Sequence, residues 1–175
     1  MGNSGNLALD KNNLDTILVL DFGSQYTQLI ARRIRELNVY SEILPWDIST
    51  EKIKVLKPKG VILSGGPESV TASNTPRIPK IIFELDIPIL GICYGMQTLA
   101  EQFGGQVSSS KKKEFGHAEI ILEETSLLFD GLTSKSRIDV WMSHGDHVST
   151  LPDQFNILAS TKSSPIAAMQ HNKKP

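Results

Sequence analysis

The feature that most constrains the fold is a repeated alternation of short apolar runs with helical patterns. Residues 17–20 (ILVL) form an unbroken aliphatic run, which is typical of a strand buried on both faces of a sheet. Further strands are predicted at residues 39–44, 59–63 and 87–92. A helix capped by Ser24 follows the first strand, and another helix is predicted at residues 79–85. Because parallel strands are joined by helical crossovers, the sequence predicts an α/β fold with an open, mostly parallel twisted sheet and helices on both faces.

The helix after Ser24 is expected to bury an apolar stripe against this sheet. The stripe consists of Tyr26, Leu29, Ile30, Ile34 and Leu37. Ligands of such sheets bind at the carboxyl ends of the strands, so the chemistry is expected in the segments that follow the strands.

The pattern changes beyond residues 104–105 to short apolar segments separated by polar turns, which predict antiparallel or edge strands. These segments are residues 106–108, 117–122, 137–142, 155–160 and 166–170. The basic run at residues 111–113 is followed by Glu114 and indicates a solvated loop. Residues 171–175 have hairpin-turn chemistry with no strand after them, so we expect this sequence to stop before the last strand of the fold.

Length and composition indicate one globular domain. The 175 residues carry a net charge of −1 and 39% hydrophobic residues, which favours an ordinary core and gives no sign of a nucleic-acid partner. Residues 1–15 are expected to be a disordered tail, and residues 16–175 the folded domain. The single cysteine excludes an internal disulfide, and no apolar run approaches the roughly 20 residues that cross a bilayer. We therefore expect a cytoplasmic protein without membrane contact.

The most informative segment for function is residues 87–97 (IPILGICYGMQ), in which an apolar strand runs into Gly-x-Cys-x-Gly and then into a helix. A sharp turn between strand and helix holds a nucleophile in strained geometry, and Gly91 and Gly95 remove Cβ atoms that would clash there. The turn also places Cys93 at a helix N-terminus, where the macrodipole favours the thiolate. Cys93 is therefore the candidate nucleophile, although a free cysteine is also compatible with a buried structural role.

A second turn is expected to face Cys93. Residues 63–67 (LSGGP) follow a predicted buried strand, and their glycines let backbone N–H groups reach a ligand. With the amide of Tyr94, this turn could form an oxyanion hole, which stabilises the negative oxygen that develops when a thiolate attacks a carbonyl. Gly-Gly-Pro also fits an ordinary turn, and that alternative stays open.

Four segments together carry a resemblance to a known family. Residues 91–97 (GICYGMQ) and 64–67 (SGGP) resemble motifs of the class I, triad-type glutamine amidotransferases. Residues 21–33 (DFGSQYTQLIARR) and 140–146 (VWMSHGD) are similar to the versions found in the GMP synthases of that family. The resemblance covers the chain from about residue 16 to residue 175. It implies that Cys93 attacks the side-chain amide of L-glutamine and that glutamate and ammonia are released.

The resemblance also implies roles for other residues. Gly66 and Tyr94 are the expected oxyanion donors. The expected glutamine-binding residues are Gly65, Gln97, Ser143, His144, Gly145 and Asp146. Gln97 lies one helical turn beyond Cys93, which suits this role, whereas without the family it is typical of a surface helix position.

No cofactor or metal is expected in the domain itself. His144, Asp146 and His147 are near each other in sequence, but they lack an evident further ligand for a metal. In the family, ammonia passes to a synthetase (ATP pyrophosphatase) domain on the same or a separate chain, which uses ATP and Mg²⁺ to convert XMP to GMP. That domain, and the dimerisation domain through which a homodimer is expected, are absent from these 175 residues.

The expected catalytic triad is incomplete in this sequence. The family takes its histidine and glutamate from a His-Pro-Glu segment, and none occurs here. His171 is followed by neither proline nor glutamate, so it is not assigned to the triad, and the segment is expected just beyond Pro175. The 175 residues alone are therefore predicted to be a poor glutaminase. Two other functions stay open: a non-catalytic docking or regulatory module with the same fold, and a redox or chaperone-like cysteine protein.

Overall fold

A computed structural model of the chain describes residues 15–132 and 136–174, without the side chains of residues 110–115 and 143–144. Nearly all of the tail predicted at residues 1–15 lies outside the described residues. The first half of the chain forms four strands and four helices in alternation. The strands are β1 (Thr16–Asp21), β2 (Tyr40–Pro45), β3 (Gly60–Leu63) and β4 (Ile89–Gly91). The helices are α1 (Thr27–Glu36), α2 (Thr50–Leu56), α3 (Lys80–Glu84) and α4 (Tyr94–Gln102).

The four strands form one parallel sheet in the order β2-β1-β3-β4. Leu18, Val19 and Leu20 of β1 are fully buried, as a strand with neighbours on both sides and helices packed against it requires. The predicted α/β fold is therefore confirmed. Helix α2 was not predicted; its N-terminus is capped by Ser49, whose hydroxyl accepts the N–H of Lys52.

Strand β4 is shorter and less buried than predicted. A strand over residues 87–92 with both faces covered was expected, but only Ile89–Gly91 pair with β3. Because β4 is the last strand of its sheet, its other edge has no hydrogen-bonded neighbour among the described strands. The side chain of Leu90, which projects from a face of the sheet, is 38% exposed.

Helix α1 buries only part of the predicted apolar stripe. Tyr26, Leu29 and Leu37 are exposed and Ile30 and Ile34 are half-buried, whereas the small residues Thr27 and Ala31 are buried. The Thr27 hydroxyl donates to Asp21 at 2.7 Å, and the Ser41 hydroxyl donates to the Ala31 carbonyl at 3.0 Å. These bonds fix the helix by its small residues, so the prediction of the buried face was wrong at its largest side chains.

The start of α1 also differs from the expectation. The helix begins at Thr27, and Ser24 lies before its N-cap, which is Tyr26. The Ser24 hydroxyl accepts the N–H of Tyr26 at 3.0 Å. Ser24 therefore closes a local turn and does not cap the helix itself.

The second half of the chain forms an antiparallel sheet of its own. Its strands are β5 (Gln106–Leu122), β6 (Arg137–Thr150), β7 (Phe155–Ser160) and β8 (Ala168–His171), in the order β6-β5-β7-β8. A short 3-10 helix, Leu127–Phe129, lies between β5 and β6. The predicted antiparallel character is confirmed. The expected segments 106–108 and 117–122, however, are two ends of one long strand.

One predicted loop lies inside these long strands. Residues 111–113 belong to β5, so the prediction of a solvated loop there was wrong, and residues 143–146, beyond the predicted strand at 137–142, belong to β6. The pairing is irregular at this point: Ser109 faces Asp146, while Glu114 faces His144. Between these two pairs, four residues of β5 (110–113) lie opposite one residue of β6 (Gly145). The extra residues form a bulge in β5.

The two sheets share their core through α4. Ala100 of that helix packs with Val148 and Ile166 of the second half, while Leu99 packs against the core of the parallel sheet. Across residues 15–132 and 136–174, no helix has both the length and the apolar character needed to cross a membrane.

Candidate active site

Cys93 occupies a strained turn between β4 and α4. Its backbone has φ 50° and ψ −110°, a left-handed conformation that non-glycine residues seldom adopt. Such a conformation costs on the order of 1–3 kcal/mol and persists only where the surroundings impose it. A Cβ atom on Gly95 would lie 2.4 Å from the Leu63 carbonyl oxygen, and one on Gly91 would lie 2.8 Å from the Met96 nitrogen. The two glycines of Gly-x-Cys-x-Gly are therefore required by close packing, as predicted.

The Ser64–Pro67 turn packs directly against this elbow. The N–H of Ile92 donates to the Leu63 carbonyl at 3.0 Å, and the N–H of Gly95 donates to the Ser64 carbonyl at 3.1 Å. A Cβ placed on Gly65 would be 3.6 Å from the Cβ of Cys93. The turn and the thiol thus belong to one site, and the alternative of an unrelated surface turn is not supported.

Two backbone donors at this site have no hydrogen-bond acceptor in the part of the chain that the structure describes. The N–H groups of Gly66 and Tyr94 make no hydrogen bond to any acceptor in the described ranges. Gly66 is packed so closely that an added Cβ would lie 2.6 Å from the carbonyl oxygen of Phe22. A pair of backbone N–H groups beside a nucleophile has the composition of an oxyanion hole.

The Cys93 side chain is exposed to the solvent at the elbow. It also lines a cavity of about 720 Å³ between the β4 edge and the second sheet, whose walls are mostly apolar. Leu90, Met96, Leu128 and Met142 contribute to those walls. A small amide can therefore approach the sulfur, and a thiol sealed inside the core is excluded.

The protonation state of the thiol differs from the expectation. Burial of the site raises the pKa of Cys93 above the ordinary thiol value, because desolvation penalises the thiolate. The position at a helix N-terminus was expected to act in the opposite direction. The raised pKa favours the neutral thiol, so a base is needed to activate it.

This raised pKa predicts how alkylation of the chain depends on pH. The rate of labelling by iodoacetamide should rise about tenfold per pH unit from pH 6 to beyond pH 8, because only the thiolate reacts. The labelled mass is unambiguous, since Cys93 is the only cysteine. A short unstructured peptide with one cysteine and blocked termini is the reference thiol, and its rate should level off at a lower pH. If the labelling rate of the protein levelled off at a lower pH than that of the reference thiol, the raised pKa would be contradicted.

Gln97 connects α4 to β6. Its side chain is 7% exposed, and its Nε2 donates to the Asp146 carbonyl at 2.9 Å. The Asp146 carboxylate in turn accepts the Ser109 hydroxyl at 2.8 Å. The alternative of a surface helix position is therefore not supported, and Gln97 fixes the strand that carries the other predicted substrate residues.

Those residues lie in β6 beside the bulge. Gly145 and Asp146 are half-buried. The backbone of Ser143 pairs with residue 115 and that of His144 with residue 114, while the side chains of Ser143 and His144 lie outside the described part. The structure thus brings Gln97 together with Asp146. No group of three or more His, Cys, Asp or Glu side chains with metal-binding geometry occurs among the described residues.

The bond from Gln97 predicts a stability effect. Gln97→Glu keeps the shape but replaces the donor with a carboxylate facing the Asp146 carbonyl, so it should lower the free energy of unfolding by about 1–3 kcal/mol at pH 7. Gln28→Glu makes the same chemical change at an exposed position of α1 and should have an effect below about 0.5 kcal/mol. Urea unfolding measures both variants. Equal midpoints for the two would show that the Gln97 bond contributes nothing.

His171 lies at the same cavity but is not placed to act as a base. Its Nε2 is 3.0 Å from the Gln154 amide oxygen, and its Nδ1 accepts the N–H groups of Lys173 and Lys174. Burial lowers the pKa of His171, and the charges of Lys174 and Lys173 lower it further. Because both ring nitrogens are engaged, His171 has no free lone pair for the Cys93 thiol.

Sequence reasoning missed the residue that joins these segments. Ser64 is fully buried. Its hydroxyl accepts a hydrogen bond from the N–H of Phe22 and donates one to the carbonyl of Gly65. The available signal was a serine placed between a buried strand and two glycines, where a hydroxyl has to be satisfied by backbone groups.

Comparisons with known proteins agree with this geometry. A family model of the class-I glutamine amidotransferases matches residues 18–175. The chain is 57% identical over 166 residues to the GMP synthase [glutamine-hydrolyzing] of Hahella chejuensis, covering 91% of this chain and 32% of the relative. The corresponding enzyme of Histophilus somni is 54% identical over 163 residues, covering 90% and 31%. The chain thus spans about a third of the length of the curated relatives it matches.

Solved structures show the same fold. A protein of Thermoplasma acidophilum assigned as a GMP synthase subunit has a TM-score of 0.77 and 31% identity, covering 93% of this chain and 80% of the other. A glutamine amidotransferase of Thermotoga maritima, at 22% identity, has a TM-score of 0.69 and covers 90% and 72%. Its likeness concerns the fold alone. With a family match over nearly all of its described residues, the chain belongs to the class-I glutamine amidotransferase family, in its GMP synthase branch.

Proposed function

We propose that this chain is the glutamine-hydrolysing part of a GMP synthase and that Cys93 is its nucleophile. The observation that carries the proposal is the strained elbow at Cys93, with the Gly65–Gly66 turn packed against it. The N–H groups of Gly66 and Tyr94, one in each of these two segments, have no acceptor among the described residues. Strain of this kind is retained where it serves chemistry. A docking or redox module would have no use for the adjoining donors.

The proposed reaction is the transfer of the glutamine side-chain acyl group to sulfur. The proposed base takes the proton of the Cys93 thiol, the Sγ atom forms a bond to the amide carbon, and one electron pair of the C=O bond moves to oxygen. The N–H groups of Gly66 and Tyr94 stabilise this oxyanion. The oxygen re-forms the C=O bond as the C–N bond breaks, and the nitrogen takes the proton held by the base and leaves as ammonia. Water cleaves the resulting thioester, which gives glutamate and restores the thiol.

Binding of L-glutamine is proposed to involve both halves of the fold. The substrate-binding residues would be Gly65, Gln97, Ser143, His144, Gly145 and Asp146. The tie between Gln97 and the Asp146 carbonyl supports this set, because it holds β6 next to the first turns of α4. In this arrangement Gln97 acts by positioning the backbone around Asp146 and by offering its remaining amide oxygen to the ligand.

The base and the ammonia acceptor are proposed to lie outside these 175 residues. His171 is engaged elsewhere, so the triad histidine and glutamate are assigned to a further segment. The names of the curated relatives, GMP synthase [glutamine-hydrolyzing], support the formation of GMP with nitrogen from glutamine. We propose that a synthetase domain uses ATP and Mg²⁺ to convert XMP to GMP with the released ammonia. We place homodimer contacts outside residues 16–175 as well, and the protein in the cytoplasm.

The proposal is tested on the full-length protein that contains this chain. Incubation with glutamine, XMP, ATP and Mg²⁺ should give GMP and glutamate in equal amounts, and ammonium salts should replace glutamine at higher concentration. GMP formed from ammonia but never from glutamine would refute the glutaminase assignment. If GMP formed neither from glutamine nor from ammonium salts, the GMP synthase assignment as a whole would be refuted.

A further inference from the structure

Ser64 forms hydrogen bonds to each of the segments that surround the site. It is fully buried, and each of its polar groups is paired. Its N–H donates to the Leu20 carbonyl at 3.0 Å, and its carbonyl accepts the N–H of Gly95 at 3.1 Å. Its hydroxyl accepts the N–H of Phe22 at 3.0 Å and donates to the Gly65 carbonyl at 2.9 Å. One residue therefore bonds to the end of β1, to the first turn of α4 and to its own loop.

The hydrogen bond from the Ser64 hydroxyl to the Gly65 carbonyl fixes the orientation of the peptide group that carries the proposed oxyanion donor, the Gly66 N–H. The Gly65 carbonyl and the Gly66 N–H belong to the same peptide group, and no peptide bond in the described chain is cis. In a trans peptide, the C=O and N–H bonds point in opposite directions. While the Ser64 hydroxyl holds the Gly65 carbonyl, the Gly66 N–H must point away from Ser64. Glycines would otherwise let this plane rotate freely.

We propose that Ser64 is a positioning residue for catalysis: its hydroxyl fixes the Gly65–Gly66 peptide so that the Gly66 N–H is directed at the developing oxyanion. The inference rests on the proposed function. It adds a role that does not require Ser64 to touch glutamine. The bond from Phe22 completes the arrangement, because it aims the serine hydroxyl by occupying its acceptor side.

The consequence is a selective effect on the step that forms the oxyanion. Removal of the hydroxyl frees the peptide to rotate, so the donor is misdirected for part of the time. Attack on a carbonyl should be slowed, since negative charge develops on its oxygen. Alkylation by iodoacetamide should not be slowed, because that displacement creates no oxyanion at the carbonyl. Glutamine binding in the ground state should change little, because the bond strengthens only as charge develops.

The test compares Ser64→Ala with Ser41→Ala in the full-length protein. Ser41 is a matched control because it is also fully buried, and its hydroxyl donates to the Ala31 carbonyl far from Cys93. Glutaminase kcat should fall about 10- to 100-fold in Ser64→Ala, with KM within about twofold of wild type. Ser41→Ala should keep the wild-type kcat. The iodoacetamide rate of Cys93 should stay within about twofold in both variants.

The outcomes separate this inference from the proposed function. A folded Ser64→Ala protein with unchanged kcat, or with kcat and iodoacetamide rate lowered in parallel, would overturn the positioning role. A wild-type protein that does not hydrolyse glutamine would instead overturn the proposed function. If Ser64→Ala does not fold, Ser64→Cys has a similar volume and a weaker donor. Its kcat should fall about 3- to 10-fold at constant KM, and an unchanged kcat would again overturn the role.

Discussion

Replacing Cys93 with alanine should lower glutamine-dependent GMP formation by the full-length protein on the order of 10⁴-fold or more. The expectation follows from covalent catalysis: without the sulfur there is no acyl carrier, and water would have to attack an unactivated amide. The fold should tolerate the change, because the side chain is exposed at the elbow and its removal opens no closed cavity. Alanine also keeps a Cβ, so the backbone strain is unchanged.

The same protein provides the control for this prediction. GMP formation from ammonium salts should stay within about twofold of wild type in Cys93→Ala, because that reaction bypasses the thiol. Cys93→Ser should behave like the alanine variant, since a serine hydroxyl is far harder to ionise than a thiol. Retention of more than about one per cent of glutaminase activity by Cys93→Ala would end the assignment of Cys93 as nucleophile.

Sequence patterns predicted the parallel sheet well, because a strand buried on both faces is a continuous run of apolar residues in the sequence. Strand β1 is a continuous aliphatic run, and its position inside the sheet is what that run indicates. The short β4 was overestimated, because the run from residue 87 to residue 92 is equally apolar when one side faces a cavity. Hydrophobicity records that a segment leaves water, but it does not record which neighbour covers it.

The orientation of α1 could not be read from hydrophobic periodicity. Its position is set by hydrogen bonds from Thr27 to Asp21 and from Ser41 to Ala31, in which small polar residues come close to the sheet. The larger apolar residues Tyr26 and Leu37 then remain outside. A pattern method weights large apolar side chains most, so it misplaces the centre of the buried face when small residues and polar contacts decide the packing.

The candidate site shows the same division between local and long-range information. The elbow at Cys93 was predictable, because the glycines that it requires are only two residues away on each side. The bond from Phe22 to Ser64 joins residues 42 positions apart, and the bond from Gln97 to Asp146 joins residues 49 apart. No spacing rule contains such pairs. The pKa of the thiol likewise depends on atoms brought together only by folding.

The elbow itself gives the second large effect: Gly95→Ala should lower the free energy of unfolding by about 3 kcal/mol. The new Cβ would lie 2.4 Å from the Leu63 carbonyl oxygen, 2.6 Å from its Cβ and 2.8 Å from its carbonyl carbon. Alanine is the better helix former by about 1 kcal/mol, which opposes the loss. The clash should prevail, because Leu63 is held in β3 and its carbonyl already accepts the N–H of Ile92.

Gly65→Ala is the matched control, since it adds the same methyl group on the other side of the site. Its Cβ would meet only ordinary contacts, at 3.5 Å from the Ser24 hydroxyl and 3.6 Å from the Cys93 Cβ. Urea unfolding should therefore show a change below about 1 kcal/mol for Gly65→Ala. Glutamine hydrolysis should nevertheless fall in this variant, because the methyl group occupies space beside the sulfur. Equal stability of the two variants would show that α4 can shift away from β3, and the close packing that holds Cys93 in its strained conformation would then be refuted.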